Sequence, residues 1–89
     1  MSEQDRNNQL RKEILFQAYG RRPVAVSVES IHRECQKQRF DFLKLEIERE
    51  LSFLCDRNLI FKIEDKLGTA HLFRIHADGV AYYEQNYAA

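Results

Sequence analysis

The chain has 89 residues, 44% of them apolar and 31% charged, which suits one modest core and is too short for two. Fourteen Lys and Arg balance fourteen Asp and Glu, so no net field draws it to nucleic acid or to an anionic membrane. These proportions exclude a disordered chain, and no apolar run is long enough to span a bilayer.

The opening, "MSEQDRNNQL", is too polar for a secretory leader, so a cytoplasmic protein with no membrane partner is expected. Charge is unevenly spread. Met1 to Phe40 carries eight Lys and Arg against five acids, while Asp41 to Asp65 carries four against seven. Cys35 and Cys55 have neither disulfide-framework nor CxxC spacing, and read as reduced, partly buried thiols.

One domain over 1–89 is expected, with residues 1–5 frayed. Leu10, Ile14 and Ala18 recur every four residues and Leu15 widens the stripe, which predicts a helix from Asp5 to Tyr19. Gly20 should end it, and Pro23 opposes its continuation. Val24 to Val26 is β-branched but brief, enough for an edge strand only.

Ser27 is placed to cap a second helix over Val28–Gln36, with Glu29 in its first turn and Val28, Ile31 and Cys35 facing inward. Lys37 to Phe40 is the turn, and Asp41 can cap a third helix. Its inward stripe is Ile47, Leu51 and Leu54, with Leu43 one turn earlier. Asn58 suits the left-handed residue that ends such a helix.

A hairpin follows. Leu59, Phe61 and Ile63 alternate with Ile60, Lys62 and Glu64, while Phe73 and Ile75 share one face and Leu72 and Arg74 the other. Gly68 supplies a positive φ in the loop between them. His76 or Ala77 then opens a last helix, with Asp78 near its start and Val80, Tyr83 and Tyr87 inward.

This order of elements resembles the winged helix-turn-helix superfamily over nearly the whole chain. The resemblance rests on Ile47, Leu51, Leu54, Asn58, Leu59 and Ile60, similar to the family's V-x3-L-x2-L-x3-G-L-I pattern. It rests also on "IHADGVAYYE", similar to the I-T-x-x-G-x-x-x-x-E exit from the wing. Asn58 replaces the usual glycine and His76 the usual threonine; Asn tolerates the left-handed region, and a neutral His can accept a capping bond.

The implied fold is α+β: three helices, a short first strand, a two-stranded wing and a C-terminal helix. The implied function is that of a DNA-binding transcriptional regulator, of the kind found among small bacterial and phage-encoded proteins. Its third helix would enter the major groove of double-stranded DNA, and its wing would touch backbone or minor groove. On that resemblance Lys37, Arg39, Lys44, Arg49, Lys62 and Lys66 are the candidate DNA contacts, and Arg21 and Arg22 could add phosphate contacts.

The residues also support an alternative. With Ile47 inward and about 100° per residue, the outward line of the third helix is Phe42, Leu45, Arg49, Ser52 and Asp56, flanked by Glu46 and Glu48. Carboxylates near phosphates are repelled and forfeit counterion release. Leu45 and Phe53, unless covered by Phe40 and the turn, suit a winged-helix module that docks another protein. "IERE" reads as a solvated face, with Glu46 and Glu50 opposed by Arg49.

No nucleophile, base and orienter can be placed together, and no phosphate loop exists, so no enzyme, cofactor or small-molecule substrate is expected. His71 and His76 fall on opposite strand faces, His32 on the solvent side of its helix, and helical cysteines on apolar stripes are core, so no metal site is expected. Phe16 and Tyr19 lie off the main stripe of the first helix, and Tyr82 lies off that of the last. A homodimer through these two helices would cover them.

Overall fold

The computed structural model describes residues 2–64 and 71–87. Four helices, α1 (Glu3–Arg21), α2 (Val28–Lys37), α3 (Lys44–Asp56) and α4 (Ala77–Asn86), pack with an antiparallel pair, β1 (Ile60–Glu64) and β2 (His71–Ile75), in an α+β fold. None of the described helices is long and apolar enough to cross a membrane.

Helix α1 starts two residues earlier than the expected Asp5. Residues 1–5 were expected to fray, yet α1 starts at Glu3, because Ser2 accepts a hydrogen bond from the Asp5 N–H at 3.1 Å and two acids occupy the first turn. Gly20 does not end this helix, which runs on to Arg21 before Pro23. The inward stripe Leu10, Ile14, Leu15 and Ala18 is buried as its spacing predicts.

Ser27 caps α2 in a reciprocal pair with Ser30: each hydroxyl accepts from the other's backbone N–H at 3.0 Å. Helices α2 and α3 then end alike. Arg39, at φ 65°, and Asn58, at φ 60°, are the left-handed residues after their helices. Phe40 N–H donates to the Cys35 carbonyl at 2.8 Å, and Leu59 N–H to the Leu54 carbonyl at 3.0 Å. Asn58 was expected in this role; Arg39 was not.

The start of α3 corrects three expectations. Asp41 does not cap it. Leu43 is the N-cap residue, and the Glu46 carboxylate accepts from its N–H at 3.0 Å. Because the helix begins only at Lys44, Leu43 is still extended, and helical spacing does not apply before it. Phe42, expected outward, is therefore only 3% exposed, while Leu43, expected inward, is 64% exposed. Phe42 takes the core position and packs on Phe40 with ring centroids 5.4 Å apart.

In the hairpin Ile60 pairs with Ile75, and Lys62 with Phe73. Val26 bridges to the other side of β2, exchanging both hydrogen bonds with Phe73 at 2.7 Å, so the Val24–Val26 stretch is a single bridge rather than a strand. Ile60, Phe73 and Ile75 face the core, which leaves Phe61 and Ile63 on the outer face. The hairpin loop with Gly68 lies outside the described residues. His76 caps α4, its Nδ1 accepting from the Asp78 N–H at 2.9 Å.

Candidate nucleic-acid interface

The α2–α3 turn and the first half of α3 are held from behind by one arginine of α1. Arg6 Nε and Nη2 donate to the two carboxylate oxygens of Glu46 at 2.8 and 2.9 Å. Its Nη1 donates to Asp41 Oδ1 at 2.9 Å and its Nη2 also to the Asp41 carbonyl at 3.1 Å. The guanidinium lies 4.9 Å from the centre of the Phe42 ring. A planar fork that binds a carboxylate bidentately and stacks on a ring fixes both angle and register.

This contact holds the Glu46 carboxyl down to about 2, and Asp41 is lowered by the same guanidinium. One helical turn further on, Arg11 Nε donates to Glu50, a buried carboxylate, and its guanidinium stacks 3.9 Å from the Phe53 ring centre. Glu46 and Glu50 are thus not the solvated face that "IERE" suggested. They point at α1. Part of the charge asymmetry of the sequence is internal, Arg6 and Arg11 of α1 set against Asp41, Glu46 and Glu50.

What remains outward on α3 is Lys44, Leu45, Glu48, Arg49, Ser52 and Asp56, all exposed. Arg49 is close enough to Glu46 to favour its ionised form. Arg39 sits exposed in the turn, and Lys37 ends α2 beside Glu34, with which it pairs at 3.2 Å. Lys62 lies at the base of the hairpin, where its charge opposes the upward push that burial gives the Cys55 thiol. Lys66 lies outside the described residues.

Leu45 is 69% exposed, so neither Phe40 nor the turn covers it, and with Leu43 it makes the beginning of α3 partly apolar. Phe53 is half-buried, with the guanidiniums of Arg11 and Arg57 both against its ring. Phe16 is 50% and Tyr82 40% exposed. They are not brought together: Phe16 borders a groove with Gln17, Gly20, Arg21 and Glu34, and Tyr82 a separate one with Asn8 and Arg11. Tyr19 stacks on Tyr83 at 4.5 Å and donates to Glu84 at 3.0 Å, tying α1 to α4.

Cys35 is buried and its thiol is pushed up to about 11, first by burial. Among the described residues, no three His, Cys, Asp or Glu are grouped as a metal site would need. Sequence reasoning missed Arg6 and Arg11 as partners of α3. Their spacing of five, set against Glu46 and Glu50 four apart, was the available signal. No protein-family model, no curated protein and no solved structure matches the chain.

Proposed function

We propose that the protein is a winged-helix transcriptional regulator, without catalytic activity, that presents α3 to the major groove of double-stranded DNA. The element order and the Val26 bridge beside β2 support the winged-helix reading. The observation that carries the DNA reading is the withdrawal of Glu46 and Glu50 onto Arg6 and Arg11, with the exposed Asp41 also paired to Arg6. Paired carboxylates repel phosphate far less than free ones, and Lys44, Arg49 and Ser52 remain on the outer face with Glu48 and Asp56. Arg39 adds support: a left-handed arginine costs about 1 kcal/mol more than glycine would, and it places a cation where the turn approaches a duplex.

A two-fold dimer through α1 and α4, covering Phe16 and Tyr82, would present two such helices to half-sites about 34 Å apart. Selection from a random DNA pool at low salt, followed by gel shift with the DNA around the protein's own gene, tests the reading. Enrichment of a common motif is expected.

The exposed pair Leu43 and Leu45 favours a second reading, a winged-helix module that docks another protein. Failure of the DNA selection, with a defined partner bound by wild type and lost in Leu45→Glu, would establish it instead.

A further inference from the structure

A cavity of about 350 Å³ lies between α1, the C-terminal end of α3 and α4, at the opposite end of α3 from Lys44. Its volume is at the lower end of the roughly 300–1,000 Å³ of small-molecule sites. Leu15 and Leu54, both buried, form the floor with Leu59. The walls are aromatic: Phe53 on one side, and on the other Tyr82 and Tyr87, set edge to face at 6.0 Å.

Two guanidiniums converge on the Phe53 wall, Arg11 at 3.9 Å and Arg57 at 5.1 Å from the ring centre. Arg11 is neutralised by Glu50 and also donates to Asn8 at 3.2 Å. Arg57 has no ion-pair partner among the described residues. Lys12, outside the cavity, lies 5.6 Å from the centre of the Tyr87 ring and adds to the positive field. Among the described residues the mouth thus carries one unmatched positive charge, Arg57, above a leucine floor and walls that mix aromatic rings with polar groups.

We propose that this cavity binds a small aromatic carboxylate. Arg57 would take the carboxylate in its planar fork, and the ring would lie among Phe53, Tyr82 and Tyr87. A cation is disfavoured by the surplus charge. A larger ligand exceeds the volume. The site stands independently of whether α3 reads DNA, but a dimer that covers Tyr82 would close over it.

Benzoate is the probe. Titrated into the full-length isotope-labelled protein, it should give saturable amide shifts at Phe53, Arg57, Tyr82 and Tyr87, with a Kd of about 1 mM or tighter. Benzyl alcohol, with the ring and no charge, and acetate, with the charge and no ring, should each bind at least about tenfold more weakly. Arg57 is exposed at the end of its helix, so Arg57→Gln should keep the native spectrum and lose about tenfold in benzoate affinity. No saturable shift up to about 10 mM benzoate, equal binding of either control, or full affinity in Arg57→Gln would overturn the assignment.

Discussion

A Cβ on Gly79 would stand 2.1 Å from the carbonyl oxygen of Leu59 and 2.8 Å from Ile75 Cγ1. The same carbonyl accepts from the His76 N–H at 2.9 Å, so the entry to α4 is laid directly on the exit from α3. The two stretches that carry the family resemblance, Ile47–Ile60 and Ile75–Glu84, therefore touch each other. The clash is with backbone and cannot be relieved by turning a side chain. Gly79→Ala should cost about 3 kcal/mol or more in urea unfolding. Gly20, whose Cβ would meet nothing within 4 Å, is the control: Gly20→Ala should be neutral or stabilise by up to about 1 kcal/mol.

The Arg6 contact predicts an acid-sensitive turn. Glu46 has its carboxyl lowered from the ordinary 4.5 to about 2, first by its hydrogen bonds to Arg6, and Asp41 is shifted the same way. A carboxyl depressed on folding contributes stability that is complete above its unfolded value. That contribution is lost as pH falls through the folded one. Wild type should therefore lose this stability between about pH 4.5 and about pH 2, whereas Arg6→Gln should be less stable at pH 7 and flatter over that window. Urea melts at pH 7, 4.5 and 3 measure both. Parallel curves would show that the contact contributes nothing.

Thiol chemistry reports the core independently. Cys35 is fully buried and its thiol raised to about 11, while Cys55 is half-buried and raised less. Iodoacetamide at pH 8 should modify Cys55 slowly and Cys35 only on unfolding. Mass spectrometry of the labelled peptides distinguishes them, and early labelling of Cys35 would contradict the packing of α2 on α1.

Association is tested by sedimentation at micromolar concentration. Phe16 and Tyr82 are exposed within one chain, and a dimer through α1 and α4 would cover them. Wild type should sediment above its 10.6 kDa monomer mass, and Phe16→Ser should return it to that mass. A monomer in both would remove the two-fold reading of DNA.

The helices and their buried stripes were legible because spacing of three and four survives in Leu10, Ile14, Ala18 and in Ile47, Leu51, Leu54. Asn58 and His76 were legible because each has a local reason for its place. The start of α3 was not, since helical spacing was carried back over Asp41–Leu43, which lie before the helix, and so inverted Phe42 and Leu43. Glu46 and Glu50 misled for a different reason. A carboxylate reads as solvated unless its partner is known, and here the partners lie 39 and 40 residues away. Long-range pairing leaves only the loose match in spacing between Arg6 and Arg11 and Glu46 and Glu50.

The central claim is that α3, freed of its inner carboxylates, reads DNA, and the salt dependence of DNA affinity tests it most directly. On the proposed reading Arg39, Lys44, Arg49 and Lys62 would make about four phosphate contacts per protomer, which implies about a hundredfold loss of affinity per protomer between 50 and 200 mM salt. Fluorescence anisotropy on a selected duplex should show that loss, with Arg49→Ala weaker and shallower in slope. Binding no tighter than the roughly 10⁻⁴ to 10⁻⁶ M of non-specific contact, unchanged in Arg49→Ala, would contradict it.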